Sequence, residues 1–170
     1  MNPLLKRSLS SDVPSGQRID RLKILERGLK YLLDTDPISI LPRQSEPGYA
    51  VLMFRIAQHG PTELAFSIIS FHEQVLGCHT YISRVHKASD VVRGYGMLTQ
   101  ILRDFAIAPV VPFDTAAAAV FDGLLAQRVR VATMDLRIAS IVLSRGMVLV
   151  TRNVRDFRKV PGLLIEDWTV

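Results

Sequence analysis

Three carboxylates in this chain stand where an apolar run gives way to a helix start. Asp34 follows Tyr31-Leu32-Leu33, Glu73 follows an apolar stretch ending near Ser70, and Asp135 opens the helical period after Val129 to Thr133. A fourth junction, after Leu149-Val150, offers Thr151-Arg152-Asn153, with Asp156 three residues on. Clustered carboxylates repel, and each raises its neighbours' pKa unless a cation or a shared proton compensates them. Hard carboxylate oxygens without thiolates select Mg²⁺ or Mn²⁺ over zinc, and such ions keep several waters and share their coordination with a phosphate substrate. The chemistry indicated is phosphodiester hydrolysis, in which one or two ions lower the pKa of an attacking water and offset charge on the leaving oxygen. Asp34, Glu73 and Asp135 are the expected ligands, with Asn153 or Asp156 assisting. Thr35, Thr151, Arg152 and Arg155, next to these groups in sequence, are the expected substrate contacts.

Each acid also has a structural reading. Ser70-Phe71-His72-Glu73 matches a capping box, which would make Glu73 a partner for the helix start. Asp36 before Pro37 suits an N-cap with proline at the first helical position, and this role fits Asp36 or Thr35 better than ligation. Asp135 in a first turn is favoured by the helix dipole, and Asp156 could pair on the surface with Arg152 or Arg155 for little gain. Only convergence of Asp34, Glu73 and Asp135 at one edge raises metal binding above these readings. His72, His79 and His86, seven apart, would span about 21 Å along a helix at 1.5 Å per residue, too far for one ion. Cys78 reads as a buried structural thiol, and Trp168 as an anchor of the last strand.

The elements that must position these groups alternate. Strands are expected at Lys30 to Leu33, Leu64 to Ile69, Ala108 to Pro112, Met147 to Thr151 and Leu163 to Ile165. Helices are expected from about Pro37 to His59, Phe71 towards Lys87, Asp90 to Phe105, Thr115 to Gln127 behind an Asp114 cap, and Met134 to Ser144. Strands separated by helices imply right-handed crossovers and a mostly parallel buried sheet, an α/β sandwich whose ligands bind beyond the carboxyl ends of the strands.

The chain has 170 residues, enough for one core. A single cysteine excludes an internal disulfide and a four-thiolate zinc site, and fits a reducing cytoplasm. No signal-peptide core or membrane-length apolar run occurs, so a cytoplasmic protein without a membrane partner is expected. The net charge of +5 is uneven, with seven Lys or Arg against three acids in residues 1–30 and fourteen against thirteen in residues 31–170. Residues 128–159 hold eight basic residues against Asp135 and Asp156, a local excess suited to a polyanion. Residues 1–29 read as a flexible or partly helical extension, with Leu22, Ile24, Leu25 and Leu29 at helical spacing, and residues 30–170 as the folded domain.

The blocks Tyr31-Leu-Leu-Asp-Thr-Asp36, Ile69-Ser-Phe-His-Glu-Gln-Val-Leu-Gly77, Thr133-Met-Asp-Leu-Arg-Ile-Ala139, Leu149-Val-Thr-Arg-Asn-Val-Arg-Asp-Phe157 and Val160-Pro-Gly-Leu-Leu-Ile-Glu-Asp-Trp168, in this order and spacing, resemble the VapC toxins of type II toxin–antitoxin systems, which are PIN-domain proteins. The resemblance implies a PIN-like three-layer α/β/α sandwich with a mostly parallel central sheet, and a Mg²⁺- or Mn²⁺-dependent endoribonuclease acting on RNA. It also implies inhibition by a small cognate antitoxin, whose tail often brings an Arg to the pocket, and a homodimer whose acidic pockets share a groove. Asp34, Glu73 and Asp135 match the family's three acidic positions. Asn153 stands where many members have Asp, Ala132 where Gly is frequent, and the N-terminal extension has no counterpart in the compact family pattern.

Two rivals belong to other classes. Asp34-Thr35-Asp36 after a strand resembles the nucleophile and acid of haloacid-dehalogenase-type phosphatases, but Ile38 replaces the usual Thr or Val and no later acidic pair follows a strand. A catalytically weak PIN-fold binding partner of an antitoxin would exploit the charge lost at Asn153. Three intact acids at one edge argue against it, because unneutralised charge is costly to keep.

Overall fold

The computed structural model describes residues 28, 30–40, 48–60 and 62–170. The expected extension over residues 1–29 therefore lies almost wholly outside the described residues. The sheet has five parallel strands, β1 (Tyr31–Leu33), β2 (Leu64–Ser67), β3 (Val110–Val111), β4 (Val148–Val150) and β5 (Leu164–Glu166), in the order β3-β2-β1-β4-β5. Seven helices lie among the described residues: α1 (Thr35–Ile40), α2 (Tyr49–Ala57), α3 (Ile68–Arg84), α4 (Ala88–Asp104), α5 (Thr115–Ala126), α6 (Thr133–Arg145) and α7 (Val154–Phe157). No helix among them is long and apolar enough to cross a membrane.

Strand side chains alternate between the two faces of a sheet, and here both faces are dry. Leu32, Ala65 and Leu149 point into one core with Leu124 of α5, Leu136, Ile138 and Ile141 of α6, and Phe157 of α7. Their chain neighbours Leu33, Leu64, Phe66 and Val150 point into the other, with Ile38 of α1, Leu52 of α2, Cys78 of α3 and Ile101 of α4. The result is the expected α/β/α sandwich. On the second face, α4 packs tightly against α3 at Gly94, where a Cβ would collide with Ile82; the buried Cys78 thiol donates to the Gly94 carbonyl at 3.2 Å. Trp168 is buried, stacks on His59 at 5.0 Å and donates from Nε1 to Glu166, closing the sheet beside β1 as expected of an anchor.

Three local expectations are corrected. The second strand ends at Ser67, not Ile69, because the Ser67 hydroxyl accepts from Ser70 N at 2.8 Å and starts α3 there. Ser70 is thus inside the helix, and the capping box that would have occupied Glu73 does not form. The run expected to lead into Asp135 like a strand is not one: residues 129–132 connect α5 to α6, Thr133 already belongs to α6, and Arg128 before them takes φ 57°. Asp36 is not an N-cap, since α1 already begins at Thr35 and Ile38 N donates to the Asp34 carbonyl at 3.3 Å. The Asp114 cap forms as expected, its side chain accepting from Ala117 N at 3.0 Å.

Candidate active site

Parallel register fixes the position of the first acid. Leu33 is level with Phe66 on one side and Val150 on the other, so Asp34 leaves β1 between Ser67 and Thr151 at the carboxyl edge of the central strands. Its backbone N–H donates to the Val150 carbonyl at 2.9 Å. The side chain is 5% exposed and is held from two sides: Thr151 Oγ1 donates to Oδ2 at 2.7 Å, and Thr35 N donates to Oδ1 at 2.8 Å. The other acids come from helices. Glu73 stands two turns into α3 and accepts from Thr35 Oγ1 at 2.5 Å, which links α3 to α1. Asp135 lies in the first turn of α6 and accepts from Asn153 Nδ2 at 3.3 Å. Asn153 is held in turn by its own N–H, which donates to Thr151 Oγ1 at 3.0 Å.

Asp34, Thr35, Asp36, Glu73, Asp135 and Asn153 line an open basin of about 300 Å³. Burial raises the Asp34 pKa to about 7, against the bonds from Thr151 and Thr35 and with the help of negative charge on Asp36 and Asp135. Burial also raises the Asp135 pKa, reinforced by Glu73, Asp156 and Asp36. Ion pairs between described residues lie elsewhere, at Lys30–Glu63, His59–Glu63, Arg145–Asp114 and Lys159–Asp156. The three acids are therefore oriented by neutral donors. A neutral donor fixes a carboxylate without cancelling its charge.

No protein-family model matches the chain. The tRNA(fMet)-specific endonuclease VapC of Salmonella typhimurium is 28% identical over 144 residues, covering 82% of this chain and 98% of that protein. Its counterpart of the same name from Shigella flexneri is 28% identical over 145 residues, with 83% and 99% covered. A chain of the DNA-bound VapBC complex from Salmonella typhimurium superposes with TM-score 0.65 at 26% identity, over 82% of this chain and 98% of that one. The chain thus shares the fold of the VapC chain in this complex and is similar in sequence to VapC endonucleases.

The donor set suits a hard divalent cation by its chemistry: carboxylate and amide oxygens, no thiolate or imidazole in the basin lining, and pKa values raised at Asp34 and Asp135. Among the described residues no three His, Cys, Asp or Glu groups close around one point tightly enough to form a cage by themselves. An open basin of oxygens fits an ion that keeps part of its water shell better than one stripped of it.

The remaining expected residues fall into two groups. Thr151 is fully buried, and its hydroxyl donates to Asp34 and accepts from the Asn153 backbone N–H. Asp156 lies outside the basin lining and pairs with Lys159 at 2.5 Å; Lys159, and to a lesser degree the Asn153 side chain, hold its pKa down. Arg152 and Arg155 are exposed at the turn after β4. Asp36, set aside as a ligand in the sequence, lines the basin from the first turn of α1. Its signal was present in the two-residue spacing from Asp34, obscured by the proline that follows.

Proposed function

We propose that this chain is a metal-dependent endoribonuclease toxin of a type II toxin–antitoxin system. The observation that carries the reading is the basin itself: three carboxylates, from the end of β1, from α3 and from α6, brought to one edge and oriented there by hydroxyl and amide donors. The endonuclease names of its curated relatives support the same reaction class. Asp34, Glu73 and Asp135 would hold Mg²⁺ or Mn²⁺, with Asn153 beside them, and the ion when bound would supply positive charge to the scissile phosphate and acidify the attacking water.

The chain's own residues preset this geometry. Thr151 holds Asp34 while its hydroxyl oxygen also fixes the Asn153 backbone, so β1 and β4 move as one unit beneath the basin. Thr35 joins Glu73 to the same edge, and Asn153 keeps Asp135 turned inward. Asn153 in place of a carboxylate leaves one negative charge fewer and adds a donor. Preorganised polar groups of this kind need little rearrangement when charge develops on a substrate.

The relatives' names direct the first substrate trial to initiator tRNA, within total cellular RNA. Purified protein should cleave with Mg²⁺ or Mn²⁺, and cleavage should disappear in EDTA and in Asp135→Asn. Absence of cleavage by folded, antitoxin-free protein would shift the reading to a PIN-fold binding partner. The VapBC structural neighbours support a cognate antitoxin for this chain, and pairing of two protomers around a common groove is the assembly we expect. Copurification of a small protein encoded next to this one, and light scattering of the free toxin, test those two points.

A further inference from the structure

The basin is acidic on all the walls that hold catalytic groups, yet a polyanion must cross it. Two segments border it on the α6 side. Arg145 Nη2 pairs with Asp114 Oδ2 at 2.9 Å, which ties the end of α6 to the start of α5 and makes the two helices antiparallel. Residues 127–132, joining them, therefore sit at the same end as Asp135 and carry exposed Arg128 and Arg130. The turn after β4 and α7 form the second border, with exposed Arg155 and Arg158. The Asn153–Asp135 hydrogen bond joins these two borders at the basin.

The acids in these segments are already engaged: Asp156 with Lys159, and Asp135 with Asn153. No ion pair or hydrogen bond of the Arg128, Arg130, Arg155 or Arg158 side chain occurs among the described residues. The α1 and α3 wall, by contrast, presents Asp36 and Glu73. Resting on the ribonuclease reading above, we propose that RNA lies along the α6–α7 side of the basin, with Arg128, Arg130, Arg155 and Arg158 as a phosphate-contacting track that delivers the scissile bond to the acids. Guanidinium groups that make no hydrogen bond or close ion pair among the described residues keep their donors for phosphate oxygens, Arg155 being attracted by Asp156 only at longer range, and the spread over two segments fits a backbone running past the site.

The test measures salt dependence of RNA binding, a property that local unfolding or metal loss does not imitate. Full-length protein carrying Asp135→Asn, so that it does not cut, is titrated in EDTA with a short fluorescein-labelled single-stranded RNA from about 50 to 200 mM salt. Replacing the four arginines by Gln should reduce the slope of log K against log salt by about 3, since each single-strand phosphate contact contributes about 0.7, and should weaken binding roughly 100-fold at physiological salt. Arg84→Gln with Lys87→Gln, at the far end of α3, should leave the slope unchanged. In the cleaving parent, the four replacements should raise KM with little change in kcat.

An unchanged slope and KM in the fourfold variant would overturn the track while cleavage by the parent leaves the nuclease reading intact. RNA binding with the expected slope by a parent that cuts nothing would support the track and count against the nuclease reading. If the replacements loosened the antitoxin complex and left RNA binding alone, the surface would belong to a protein partner and the proposal would fail.

Discussion

The two ends of strand β1 handle negative charge in opposite ways. Beside its start, Glu63, the residue before β2, is approached by Lys30 Nζ at 2.6 Å and His59 Nδ1 at 3.1 Å, and both partners hold its pKa down. Beyond its last residue, Asp34 meets only a threonine hydroxyl and a backbone N–H, and its pKa rises to about 7. One strand thus joins a neutralised carboxylate to one left uncompensated. On the reading proposed above, the difference separates a structural acid from a functional one: the first is paired within the chain, while the second would take a cation from outside it. The strongest way to break this comparison is to remove the uncompensated charge. Asp34→Asn should lower the cleavage rate by two orders of magnitude or more, about 3 kcal/mol of transition-state stabilisation, whereas Glu63→Gln should leave the rate within about twofold. Single-turnover cleavage under saturating Mg²⁺ measures both.

The same substitution should have the opposite sign on stability. Without metal, folding forces the Asp34 carboxylate into a site that disfavours its charge, so Asp34→Asn should stabilise the metal-free protein by about 2 kcal/mol at pH 8. That is less than the displaced pKa alone implies, because Asn also changes the bond with Thr151. Urea denaturation in EDTA reads it directly. A destabilised Asp34→Asn protein would mean that the carboxylate's hydrogen bonds outweigh its burial, and the contrast between the two ends would lose its basis.

A pH series sharpens the comparison further. Between 3.8 and about 7 the folded chain retains a proton on Asp34 that the unfolded chain has released. Stability from this group is therefore full below about pH 4 and is lost as pH rises through about 7. Glu63 runs the other way: its folded pKa is lowered from 4.5, so its contribution is present above that value and is lost as pH falls through the folded pKa. Urea midpoints of the metal-free protein should fall from pH 5 to pH 8, and Asp34→Asn should flatten that fall. Saturating Mg²⁺ should restore most of the loss at pH 8 by binding only the folded state.

How much of this was legible in the sequence depends on whether a residue's partner is local. Asp34 at the end of Tyr31-Leu32-Leu33 could be placed because an apolar run and the polar group that ends it are contiguous. The order of strands and helices could be read for the same reason. The start of α3 could not, since Ser67 and Ser70 both look like caps; the choice fell to Ser67, the last residue of β2 paired with β3, whose hydroxyl accepts from Ser70 N. Val129-Arg130-Val131 alternates like a strand, but alternation does not supply a neighbouring strand, and the sheet's edges are occupied by β3 and β5. Thr151 was legible as a site residue and not as a support for Asp34, because that bond spans 117 positions and follows only from the parallel register.

That support can be tested at smaller scale. Thr151→Val keeps the shape of a buried side chain and removes the donor to Asp34, leaving a buried carboxylate with one bond fewer; destabilisation of about 1 kcal/mol is expected, together with weaker Mn²⁺ binding. Thr151→Ser should recover both. The smallest effect belongs to the other end of β1. Lys30→Ala removes one of two partners of Glu63, yet the pair is solvent-exposed on the lysine side, and His59 and water remain to serve the carboxylate. Exposed ion pairs of this kind are worth little, so the melting curve should be unchanged within error and cleavage unaffected. A marked loss of either would show that the neutralised end of the strand is coupled to the basin through β1, and that the two ends cannot be treated as independent sites.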